Sequence, residues 1–153
     1  MKSRTIESPQ AIYAIINQCE VCHVGMVDTE NKPYVLPFNF GFEEGIIYLH
    51  SAPQGKKINI LQQNDHVCIA FSSDYVLRYQ HADVACSWSM KYRSVLAYGR
   101  VEFIEDLTQK ARVLNVIMKK YAGREFSYNQ PALVNVKVYR VVVSRFEGKA
   151  YGY

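Results

Sequence analysis

The chain has 153 residues, which suits one domain spanning 1–153 that buries roughly two thirds of its unfolded surface. Its net charge of +4 is spread among acids, as in Arg100, Glu102, Glu105, Asp106 and Lys110, so it lacks the basic stripe of a polyanion binder and no nucleic-acid partner is expected. No apolar window of membrane-spanning length occurs, and the N-terminus carries no apolar leader core, so a soluble, cytoplasmic protein with reduced cysteines and no membrane partner is expected.

Ser8-Pro9 reads as an N-cap followed by proline at the first helical position. Ile12, Ile15, Ile16 and Cys19 then recur at helical spacing, which predicts a helix over about residues 8 to 19. Residues 21 to 28 and 34 to 40 are strand-like runs joined by a turn-rich linker, a hairpin pattern. Phe42-Glu-Glu-Gly45 predicts a second turn, and residues 46 to 50 a third strand. An amphipathic segment follows over about 53 to 63, then a fourth strand over 67 to 72. Residues 73 to 91 read as an irregular loop holding Tyr75, Tyr79, His81 and Trp88. Residues 94 to 104 alternate as a long strand, and Asp106 caps a helix that Gly123 terminates. The last strand is expected over 133 to 146. Six antiparallel strands with three helices predict a mainly β chain with flanking helices, closed into a small barrel that hides its edges.

The chemistry concentrates in His50-Ser-Ala-Pro-Gln-Gly-Lys-Lys-Ile-Asn-Ile-Leu61. A strand there gives way to a helix start, where free backbone N–H groups, the positive end of the helix dipole and two adjacent lysines can converge on one anion. The pattern favours the anion site over a solvated lysine pair on a helix, which is the alternative. His50, with an ordinary pKa of about 6.5, is the residue best suited to handle a proton, although a histidine at a strand end can equally be structural.

The order Tyr34-Val-Leu-Pro37, a strand ending in His50-Ser51-Ala52, Gly55-Lys56-Lys57 at a helix start, and Trp88-Ser-Met-Lys-Tyr-Arg-Ser-Val95 before a glycine-containing strand resembles the pyridoxamine 5′-phosphate oxidase-like FMN-binding split barrels. Within them the chain is most similar to the nitroimidazole resistance proteins. The resemblance covers roughly residues 20 to 145 and implies a six-stranded antiparallel split barrel, a homodimer, and FMN at the subunit interface, with FAD as an alternative. It implies that Lys56 and Lys57 grip the cofactor phosphate with Gly55 and Ala52 in the same turn. Val35, Leu36, Pro37 and Phe38 would then pass beside the flavin ring, Ser51 would bond the ribityl chain or phosphate, and Ser94 would approach from a neighbouring strand. His50 would lie beside the flavin as the catalytic proton handler. By pattern alone, residues 35 to 38 equally fit an ordinary buried strand and Ser94 a local cap.

The implied activity is an FMN-dependent oxidoreductase that draws electrons from a small reduced donor and passes them to a small acceptor such as a 5-nitroimidazole. A flavin carrier or sensor without turnover, and a haem-binding member of the same barrel group, are the alternatives. Cys19-Glu-Val-Cys22-His23 matches the covalent haem-attachment pattern, but it lies where a helix meets a partly buried strand, and buried structural thiols are the expected reading. No second close spacing of ligands accompanies it, so no metal site is expected.

Overall fold

The computed structural model describes residues 2–153. Eight strands, β1 (Ser3–Ile6), β2 (Cys22–Val27), β3 (Pro33–Phe38), β4 (Gly41–Glu43), β5 (Ile46–Ser51), β6 (His66–Arg78), β7 (Ser89–Ile104) and β8 (Lys137–Tyr151), form one antiparallel sheet. Four helices flank it: α1 (Pro9–Gln18), α2 (Lys56–Gln63), α3 (Leu107–Ala122) and α4 (Gln130–Val134). The strand order is β3-β2-β6-β7-β8-β5-β4, with β1 added to β8. The six long strands anticipated from the sequence are all present, joined by the short β1 and β4. The expected closure is absent. The ladder runs from β3 to β4 without a closing pair, which makes the fold a split barrel with flanking helices.

The sheet curls so that its two ends border one core. Phe38 of β3 and Ile47 and Leu49 of β5 join Val24, Ile69, Phe71, Val95, Tyr139 and Val141 in the same buried cluster, closed by Ile12, Ile15 and Ile16 of α1 and Ile58 and Leu61 of α2. A second cluster lies on the other face, where Tyr48 and Val138 pack under Val113, Leu114 and Ile117 of α3 and Leu133 of α4. Lys110, buried in α3, donates from Nζ to the carbonyls of Leu133 and Val136 at 2.9 Å each and so pins α4.

The helix caps follow local chemistry. Ser8 and Asp106 accept from first-turn amides, and Gly123 ends α3 in the left-handed conformation. The predicted loop over 73 to 91 is strand at both ends, and residues 79–88 alone form the connection. β6 continues to Arg78 and β7 starts at Ser89, with a register shift between Ser73 and Val76 where Asp74 takes φ +56°. That bulge offsets the two-residue alternation, which is why the pattern read as irregular. Residues 133 and 134, read as the start of the last strand, instead end α4, which is capped by the Asn129 side chain with Pro131 in its first turn. The last strand instead runs on to Tyr151, where β1 pairs with it.

Candidate functional site

The segment that carries the two lysines links the end of β5 to β3, two strands that do not pair with each other. β5 ends at Ser51, and α2 begins at Lys56. Gly55 caps α2 at φ +129°, ψ 178°, a conformation open to glycine. A Cβ there would meet nothing within 4 Å, so backbone conformation rather than space requires the glycine. No side chain caps this helix, so its first-turn amides have no side-chain partner.

Lys56 places Nζ 4.4 Å from the centre of the Tyr34 ring, linking the helix start to β3. Among the described residues neither Lys56 nor Lys57 pairs with a carboxylate, although seven other lysines and arginines do. Two lysines, uncapped amides and a helix dipole with no counter-charge form an anion cradle.

A second link joins the same two strands. The Phe38 ring meets Tyr139 edge-on at 6.2 Å, and Tyr139 donates its hydroxyl to Ser51 Oγ at 3.2 Å. Burial pushes the Tyr139 phenol up to about 12, so it stays a donor across the neutral range. Ser51 in turn donates to the Ala52 carbonyl at 2.9 Å. With its own proton engaged, Ser51 can give a hydrogen bond to a ligand only by leaving Ala52. Ala52, like Gly55, is exposed on the connecting turn.

The strand 35–38 divides by face. Leu36 and Phe38 turn inward, whereas Val35, 59% exposed, and Pro37 turn outward. The four side chains therefore do not share one surface. β3 is a sheet end paired only with β2, and Pro33 and Pro37 are tolerated there because no central ladder needs their missing N–H groups. Its outer main-chain edge is open to a ligand.

His50 lies opposite Val138 in the ladder, on the face of Tyr48 and away from Ser51. Burial lowers its pKa from the ordinary value, so at pH 7 the imidazole is neutral rather than a standing proton donor.

Ser94 does not join this group within one chain. It pairs with Ser72 and Lys149, ten residues along β7 from Ile104, which pairs with Val138 beside His50. That interval is on the order of 30 Å along the strand.

A cavity of about 610 Å³ lies on the outer sheet face, lined by Gly25, Val27, Val35, Cys68, Tyr98 and Arg100 among others. Of the residues anticipated around the cofactor only Val35 lines it. The haem-like motif resolves as structure. Cys19 and Cys22 are buried, Cys19 donates to the carbonyls of Ile15 and Ser72, and burial pushes Cys22 up to about 12. Cys68 is half-buried and Cys86 is exposed, so the expectation of buried thiols holds for the first pair only. No cluster of metal-ligating side chains occurs among the described residues.

The family model described as pyridoxamine 5′-phosphate oxidase matches residues 8–150. The chain belongs to this pyridoxamine 5′-phosphate oxidase-like family. Within it, a candidate 5-nitroimidazole antibiotic resistance protein from Bacteroides thetaiotaomicron is 48% identical, with a TM-score of 0.88, over 97% of this chain and 87% of that one. This supports membership of the nitroimidazole resistance branch. The flavocytochrome Anf3 of Azotobacter vinelandii is 22% identical at TM-score 0.82, over 99% of this chain and 70% of that one. The FAD- and haem-binding protein of Mycobacterium smegmatis is 15% identical at TM-score 0.84, over 100% and 75%. These two establish the shared fold alone. No curated protein matches the chain significantly. No helix among the described residues is long and apolar enough to cross a membrane.

The sequence did not reveal Lys137. It lies directly opposite Ser51 in the ladder, with its side chain only 17% exposed. A lysine two residues before the core-facing Tyr139 on the same strand is the signal that could have marked it.

Proposed function

We propose that the chain is an FMN-dependent oxidoreductase, acting as a cytoplasmic homodimer, that passes electrons from a small reduced donor to a small nitroaromatic acceptor of the 5-nitroimidazole class. The observation that carries this reading is the uncompensated cradle at Gly55, Lys56 and Lys57, set in a split barrel whose 48%-identical neighbour is a candidate 5-nitroimidazole resistance protein. The donor set suits a phosphate dianion, which needs point cations and N–H groups rather than carboxylates. FMN carries one such phosphate; FAD offers a diphosphate to the same donors.

When bound, flavin supplies two-electron transfer at its ring. Lys56 and Lys57 hold the phosphate and so fix the position of the ring. The outer edge of β3 offers main-chain hydrogen bonds at Val35 to Phe38, and Tyr139 locks Ser51 at the end of β5. His50, neutral at pH 7, can take up a proton and return it.

The homodimer reading draws on two observations. Ser94 lies far from the cradle of its own chain, and Val35 and Val142 leave apolar surface beside the outer cavity. A second copy would cover that surface and bring its own Ser94 toward the cofactor.

The test is the absorption spectrum of the purified protein, with mass measurement of the released cofactor and anaerobic reduction by NADH or NADPH with and without a 5-nitroimidazole. Two flavin bands, an FMN mass and acceptor-dependent reoxidation are expected. A Soret band, or no binding of added FMN, overturns the flavin assignment. Bound flavin without acceptor turnover leaves the carrier or sensor reading.

A further inference from the structure

Lys137 stands where a phosphate-binding cation would be expected, yet its charge is already engaged. It occupies the first position of β8, directly across from Ser51. Strand alternation puts its side chain on the face of Tyr139, the residue that bonds Ser51. Its aliphatic stem is covered, and Nζ lies 4.6 Å from the centre of the Phe103 ring. Its ion pair is with Glu105 Oε1 at 2.8 Å, a carboxylate 69% exposed on the turn after β7. The lysine is thus held against the protein, whereas its partner stands largely in water.

That asymmetry decides which partner can be replaced. An exposed carboxylate gains little from a single lysine, because water solvates it well and the side-chain entropy of holding it offsets the attraction. A phosphate dianion gripped on its other side by Lys56, Lys57 and the α2 amides offers more charge without that entropy. Its arrival beside Ser51 would draw Nζ from Glu105, whose carboxylate can swing into solvent.

We infer that Lys137 is a third cation of the phosphate cradle, held in place by Glu105 and given up to the cofactor phosphate on binding. This rests on the flavin reading above. It assigns a role to two residues that neither the motifs nor the helix start identifies. Glu105 acts as an internal competitor that lowers affinity for any phosphate while keeping Lys137 ordered.

The experiment measures dissociation constants of the apoprotein for FMN and for riboflavin, which has the same ring but no phosphate, by quenching of flavin fluorescence. The wild type is compared with Lys137→Met and Glu105→Gln. Methionine keeps an apolar stem over Phe103, and melting temperatures of both variants verify folding. Loss of one charge-assisted contact predicts that Lys137→Met binds FMN about tenfold more weakly, with riboflavin affinity unchanged. Glu105→Gln removes the competitor and is expected to tighten FMN binding a few-fold, again without affecting riboflavin.

The opposite signs separate this account from a structural ion pair, in which both variants lose stability together and the FMN-to-riboflavin ratio stays fixed. An unchanged ratio in both variants overturns the inference while leaving the flavin site standing. Failure of the wild type to bind either compound overturns the flavin reading itself.

Discussion

The two ends of the barrel treat charge in opposite ways. At the end where β6 and β7 project as a hairpin, Arg93 binds Asp74 at 2.7 Å and Gln18 donates to the same carboxylate at 2.7 Å. Lys91 and Arg93 both lie over the Tyr153 ring, at 3.7 and 3.8 Å, while Tyr79 stacks on Trp88 at 4.2 Å. Each of these groups has a partner inside the chain. At the other end, Lys56, Lys57 and the first amides of α2 have no counter-charge, and a glycine holds a backbone conformation closed to other residues. Satisfied polar groups stabilise a fold, and unsatisfied ones that persist in it mark where a ligand completes the structure. The hairpin end is therefore assigned to stability and the cradle end to binding.

The sharpest way to break this contrast is to remove charge at each end. Lys56→Ala with Lys57→Ala is expected to weaken FMN binding by at least about a hundredfold, at roughly 1.5 kcal/mol or more per contact, with the melting temperature nearly unchanged. Asp74→Ala should do the reverse, lowering stability by about 2 kcal/mol through loss of the Arg93 and Gln18 bonds and the left-handed backbone strain of alanine, with FMN affinity intact. Thermal melts and flavin binding on the same samples read both. Equal effects of the two variants on either measurement would remove the distinction.

Gly55→Ala sharpens the assignment without touching charge. At φ +129° an alanine costs on the order of 1–3 kcal/mol. Relaxation of the turn should move both lysines and weaken FMN binding about tenfold, again without affecting riboflavin.

Acid separates the ends by pH window. The folded pKa of His50 is lowered by burial, so the unfolded chain binds the extra proton and stability falls as pH drops below about 6.5. The Arg93 and Gln18 hydrogen bonds hold Asp74 below the ordinary carboxylate range, so its contribution is present above about 3.9 and is lost only as pH falls through its lowered value. Melting temperatures between pH 7.5 and 5 should decline in the wild type and less in His50→Gln, with Asp74→Asn leaving that slope unchanged. The smallest effect belongs to Ser51→Ala. It removes the Tyr139 hydrogen bond, about 1 kcal/mol of stability, and alters FMN affinity only a few-fold because the serine proton is already committed to Ala52.

What was legible in the sequence was what local chemistry controls. Ser8-Pro9, Asp106 and Gly123 set helix ends, and alternation set the long strands, because caps and periodicity act over a few residues. The hairpin at 73 to 91 was hidden by a bulge that shifts the period, and α4 by a run of apolar residues that fits strand and helix equally. The cradle was readable because its parts are consecutive, from His50 to Lys57. The outward turn of Val35 and Pro37, the placement of His50 on the face opposite Ser51 and the approach of Lys137 depend on which strands pair, and pairing is set by the whole sheet.

If the uncompensated charge at the start of α2 grips a flavin phosphate, the preference for FMN over riboflavin must depend on the two lysines. Apoprotein and the Lys56→Ala, Lys57→Ala variant are titrated with FMN and with riboflavin under the same salt. Wild type is expected to prefer FMN by about a hundredfold or more, and the variant to lose this preference while still binding riboflavin. A preference for FMN that survives the double substitution, or its absence in the wild type, would contradict the account.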